Sequence, residues 1–198
     1  MSVHADHSRE ILDRLGRVGV IAVPPTLAAL GGLHAAWALG WRWPGGSDQA
    51  LAERVLSRSE RDRLGSGQLP PVPLTWSVAA ALLAGAGIVR AAGTGTRSAT
   101  LRGAAWTASV VLVGRGAVSV ASNLSGGPDD TYQRLDLAIY SPLCLALGAG
   151  TAAAVARKAP MPLPNRRLAL AGAATALLGG GLSVRTAAQA MAAGRLPL

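Results

Sequence analysis

LVGRGAVSVASNLSGGPDDTYQRLDLAIYSPLCL, Leu112–Leu145, is the stretch on which the reading of this chain turns. It begins as an apolar helix that carries Arg115 in its middle. It then passes a Gly-Gly-Pro turn with Asp129 and Asp130, and re-enters apolar sequence through Asp136, Tyr140 and Ser141-Pro142. Two greasy flanks around a short polar turn predict two antiparallel helices. The question is why Arg115 and Asp136 stand where lipid is expected.

Working outward, the same pattern recurs along the chain. The 198 residues are 50% hydrophobic, with 25 glycines and no Phe. Apolar runs of about 17 to 22 residues alternate with Arg-rich breaks, and about 20 such residues cross a bilayer. Ala and Gly are weak hydrophobes, so each run is marginal alone; their repetition carries the argument. The predicted spans are 18–39, 74–92, 104–122, 137–156 and 168–184. The fold class is therefore all-α, a polytopic transmembrane helix bundle with four core spans and a fifth C-terminal one. Residues 1–17 form a leader, 18–156 the core with a loop at 40–73, and 168–192 the fifth helix, spanning or re-entrant. Gly179-Gly180-Gly181 and the following Arg185 weaken that last segment.

The net charge of +9 invites a nucleic-acid reading, but the positions of the charges argue against one. Arg9, Arg14 and Arg17 precede span one; Arg90, Arg97 and Arg102 lie between spans two and three; Arg157, Lys158, Arg166 and Arg167 follow span four. Alternation puts all three groups on one side. Basic residues collect on the cytoplasmic side, so the N-terminus is expected inside. An N-terminal signal peptide is the competing reading, since Ala36-Trp37-Ala38 imitates a cleavage site. Pro24-Pro25 and the acids of the leader favour an uncleaved helix. Cys144 is the single cysteine, which excludes an internal disulfide.

The loop at 40–73 is the largest piece outside the spans. Trp41, Trp43 and Trp76 suit an interfacial aromatic belt. Residues 48–64, DQALAERVLSRSERDRL, place Leu51, Val55 and Leu56 on a narrow helical stripe. The simpler expectation there is a solvated linking helix.

Helical rise places Arg115 roughly 16 Å from the inner end of span three and 10 Å from its outer end. His34 lies near the outer end of span one, and Asp136 and Tyr140 at the outer start of span four. Three spans thus deliver polar groups to one layer. Periodicity puts His34, Trp37 and Trp41 on one face, and Arg115, Ser119 and Ser122 on another with Asn123 nearby. Asp136, Tyr140 and Cys144 share a face if span four is continuous, which Pro142 makes doubtful. Intramembrane charges face a bundle interior or wet cavity and are paired. Asp136 is the preferred partner of Arg115, with Asp129 and Asp130 as alternates.

Two motifs in this layer resemble a known pattern. LHAAWALG (Leu33–Gly40) resembles the first-helix signature of an uncharacterised family of small bacterial multi-pass membrane proteins, a domain of unknown function. Arg115, then Asp136 and Tyr140-Ser141-Pro142-Leu143-Cys144-Leu145, resembles its second signature. The resemblance covers roughly residues 20–155. It implies a membrane bundle of four spans, from which the fifth segment departs, and Gln133 stands where an aromatic residue is common. It implies no activity.

Site chemistry leaves two expectations. In the first, an outer-leaflet pocket floored by His34, Trp37 and Arg115, under the 129–136 loop, binds a lipid-like or small hydrophobic molecule, with Trp41, Tyr140, Asn123 and Arg134 as further contacts. In the second, a membrane enzyme uses Asp136, Asp129 or Asp130 as acid, with Arg115 and His34 assisting and aromatic faces stabilising positive charge on an isoprenoid-like or lipid substrate. An arginine beside Asp136 weakens it as an acid, which favours Asp129 or Asp130. A structural Arg115–Asp136 clamp is the plain alternative to both. No metal site is expected and no cofactor is identified. The expected partners are membrane lipids. A homo-oligomer is left open by small-residue faces such as Ala81 and Gly85.

Overall fold

The computed structural model describes residues 3–65, 67–126 and 130–157. Every regular element among them is helical: α1 (Val3–Ala38), α2 (Asp48–Val55), α3 (Arg58–Leu64), α4 (Val72–Thr94), α5 (Ala99–Gly126), α6 (Thr131–Leu135), a π-helical turn (Asp136–Tyr140) and α7 (Ser141–Ala156). Four segments are long and apolar enough to cross a membrane: Glu10–Ala38, Val72–Thr94, Ala99–Asn123 and Thr131–Ala156. They fit a multi-pass membrane protein. The fifth segment, 168–192, lies outside the described residues, as does Asp129.

The four long helices form a ring in which α1 packs on α4 and α7, and α5 on α7 and more lightly on α4. This leaves α1 and α5 diagonally opposed. The apolar centre is Val23 and Leu27 of α1, Ala86 and Val89 of α4 and Leu147 of α7. A second cluster joins Ala92, Ala105 and Val155, with Trp106 and Ile88 against it. In lipid, helices associate through close packing of small residues rather than through the hydrophobic effect. The chain's glycines serve that end. A Cβ at Gly19 would collide with the carbonyl oxygen of Gly150, and one at Gly148 would lie 2.9 Å from the Ser109 carbonyl oxygen. At that crossing Ser109 donates its hydroxyl to the Gly148 carbonyl at 2.8 Å, tying α5 to α7.

The helix boundaries differ from the sequence expectation in three places. The leader is helical from Val3, and α1 runs through Pro24-Pro25 without ending. The fourth span is continuous through Pro142, because that proline sits in the first turn of α7, where a missing N–H is tolerated. Residues 48–64 form two helices rather than one. Ser57 breaks the run as the N-cap of α3, closing a capping box with Glu60.

The pair α2–α3 is also more than a linker. Leu51 and Ala52 are fully buried and Leu56 nearly so, and α2 packs on α6. The loop thus forms a cap over one end of the bundle. Trp41, Trp43 and Trp76 remain exposed at that end, as an interfacial belt requires. The other end carries Arg14, Arg17, Arg90, Arg97, Arg102 and Arg157.

Candidate functional site

Beneath the cap, α5, α6 and the π-turn converge on one carboxylate. Asp136 is completely buried. Arg115 donates to its Oδ1 at 3.2 Å. Asn123 donates to Oδ2 at 2.7 Å, and the Ser141 hydroxyl donates to the same oxygen at 3.1 Å. Arg115 also donates to the Tyr132 phenol at 2.8 Å and to the Ser119 hydroxyl.

Local geometry explains how these groups meet. Arg115, Ser119 and Asn123 are spaced by four on α5, so they project from one face. Tyr132 and Asp136 are likewise four apart. The π-turn then adds a residue: the Ser141 N–H bonds to the Asp136 carbonyl, five residues back. This brings the Ser141 hydroxyl under the Asp136 carboxylate.

The expected Arg115–Asp136 pair is thus present, and Asn123 belongs to it. Tyr140 does not share its face. The π-turn turns Tyr140 towards the cap, where its phenol donates to the Arg54 carbonyl at 3.2 Å while its ring lies 6.2 Å from that of Tyr132. Cys144, half-buried, follows in α7 as a free thiol.

The first-helix groups stand apart from this cluster, because α1 lies diagonally across from α5. The His34 Nδ1–H donates to the Leu30 carbonyl at 2.9 Å, and its ring lies 4.9 Å from Trp37. The Trp37 indole donates to the Trp43 carbonyl, and Trp41 stacks on Trp43. These contacts fasten the chain's exit from α1. The expected grouping of His34 and Trp37 with Arg115 is therefore corrected: the groups that meet Arg115 are Ser119, Tyr132 and Asp136. Arg134 is exposed in the last turn of α6.

Asp130 is not the partner of Arg115. It caps α6 through the Gln133 N–H and pairs with Arg61 of α3 at 2.8 Å. Burial raises its pKa, but the Gln133 backbone hydrogen bond and then Arg61 outweigh that and hold the carboxyl below the usual aspartate range. A carboxyl so held is a poor acid, which removes the advantage expected for it over Asp136. Among the described residues, no three His, Cys, Asp or Glu side chains converge to hold a metal.

Residues 27–151, which contain the last third of α1, α2–α6, the π-turn and most of α7, match the family described as "Protein of unknown function (DUF3995)". The chain belongs to the DUF3995 family. No curated protein and no solved structure matches it. The matched stretch of this DUF3995 chain includes every member of the Asp136 cluster and its cap, and stops before the segment expected to form a fifth helix.

Sequence reasoning missed three parts of the site: Tyr132, Ser141 and Arg61. Tyr132 was within reach, since it lies one helical turn before Asp136. Ser141 was not, because only a π-turn aligns positions five apart. Arg61 meets Asp130 across 69 residues, and no local pattern signals that contact.

Proposed function

We propose that this protein sits in a bacterial cytoplasmic membrane with its capped end outside, and that the Arg115 site holds a lipid-like or small hydrophobic molecule with an anionic or strongly accepting group. The orientation rests on the arginines of the uncapped end, since basic residues accumulate on the cytoplasmic side; the five arginines of the 40–73 loop are offset by Asp48, Glu53, Glu60 and Asp62.

One observation carries the binding reading. Within the buried ion pair, the Asp136 side chain is 0% exposed whereas that of Arg115 is 30% exposed. A clamp alone would favour sealing both charges from lipid, since each is costly there. Here the carboxylate is sealed by three donors and fixes the guanidinium, while the Arg115 side chain stays partly exposed. An arginine fork is suited to a carboxylate or phosphate. The enzyme reading draws less support: Asp136 is a hydrogen-bond hub with both oxygens engaged, and Asp130 is occupied by its cap and by Arg61.

The test is mass spectrometry of molecules retained by protein purified gently in detergent. The expected result is one lipid-like species in stoichiometric amount, lost in Arg115→Ala and reduced in Tyr132→Phe while both variants stay folded. Folded wild-type protein that retains nothing, or variants that retain the same species, would sink the proposal.

A further inference from the structure

A second feature lies away from the Asp136 cluster, on the surface where α1 meets α4. A groove of about 350 Å³ is lined by Ile21, Pro24, Pro25, Ala28, Ala86, Gly87 and Arg90. Its walls are apolar, and a Cβ at Gly87 would meet nothing within 4 Å. Arg90 stands at one end, exposed on the bundle surface and about one turn inside the basic end of α4. Among the described residues, no ion pair involves Arg90.

The proline pair adds a second demand. Pro24 and Pro25 have no N–H, so the carbonyls of Val20 and Ile21 lose their helical donors. Thr26 gives no relief, because its hydroxyl donates to Ala22 instead. Unpaired backbone carbonyls at membrane depth are costly. The groove therefore offers an apolar trough and a cation, beside carbonyls that the two prolines leave without their usual helical donors.

We propose that this groove binds one anionic phospholipid whose head group carries a hydroxyl, of the phosphatidylglycerol type. One acyl chain lies over Pro24, Pro25 and Gly87. The phosphate meets Arg90, and a glycerol hydroxyl donates to the freed carbonyls. The site is independent of the Arg115 reading and lies towards the opposite end of the bundle.

The test places the full chain in nanodiscs of phosphatidylcholine with a minority of phosphatidylglycerol, and counts retained lipids by native mass spectrometry. The wild type is expected to hold phosphatidylglycerol in preference to phosphatidylcholine. Arg90→Gln should reduce that preference about fivefold, as one cation near the membrane surface is worth about 1 kcal/mol. Arg90→Lys should retain most of it. Equal retention by Arg90→Gln and wild type overturns the proposal. So does loss confined to Arg115→Gln, which would assign the lipid to the capped end. If Arg90→Gln fails to insert, replacing both prolines by alanine is the second arm: it restores the helical donors and should lower retention of phosphatidylglycerol relative to phosphatidic acid, which lacks the hydroxyl. An unchanged ratio there also overturns the proposal.

Discussion

Asn123 donates its side-chain amide to Asp136 over 2.7 Å, and both residues are buried. The bond joins the end of α5 to the π-turn and holds the carboxylate that Arg115 uses from the same helix. Asn123 thus acts as the second hand of a grip in which Arg115 is the first.

Removing the anion should cost more than removing the pair. Asp136→Asn leaves Arg115 without its counter-charge at membrane depth, and breaking a buried pair in this way costs about 3 kcal/mol. The double variant Arg115→Leu with Asp136→Leu should recover part of that loss. Thermal midpoints in detergent check this; a double variant less stable than Asp136→Asn would show that the pair itself holds the bundle together.

The cap should loosen in acid. The carboxyl of Asp130 is held below its ordinary range, so its contribution is complete above the unfolded aspartate value of about 3.9 and is lost as pH falls through the lower folded value. A spin label at Ser59 should become mobile over that window. In Asp130→Asn the label should be mobile at every pH, and a pH-independent wild type would refute the latch.

The α1–α7 crossing should tolerate no side chain at Gly19. A Cβ there meets the Gly150 backbone, which cannot move aside as a flexible side chain can. Gly19→Ala should cost about 1 to 3 kcal/mol through overpacking. Gly32→Ala, in open space on the same helix, should cost nothing measurable and serves as the control.

Tyr132→Phe removes the phenol that accepts from Arg115. A hydrogen bond to a charged group is worth about 1.5 to 3 kcal/mol, so a measurable fall in the thermal midpoint is expected. Full stability in this variant would mean that Arg115 finds another acceptor.

The four core spans and the Arg115–Asp136 pair were legible because both rest on local signals, namely run length and the rarity of charge in lipid. The further partners of that pair were not legible. Rise fixes depth but says nothing about which helices touch, so His34 and Trp37 were grouped with Arg115 although α1 lies diagonally from α5. The role of the cap was hidden for a similar reason: the stripe of Leu51 and Leu56 shows an apolar face without showing that α6 covers it. Periodicity misled at Tyr140, where a spacing of four was counted across a turn that is not α-helical.

That turn has a consequence for how the fourth span can vary. In an α-helix, residues five apart point about 140° from each other, yet here Asp136 and Ser141 face one another. The π-turn works as a phase shifter between two stretches of one rod. The polar head above it and the Ala-rich shaft below can each keep the orientation its own neighbours demand. Excising a single residue from 136–140 would restore an unbroken α-helix and swing the carboxylate off its three donors, while leaving hydropathy, length and net apolar content of the span almost untouched.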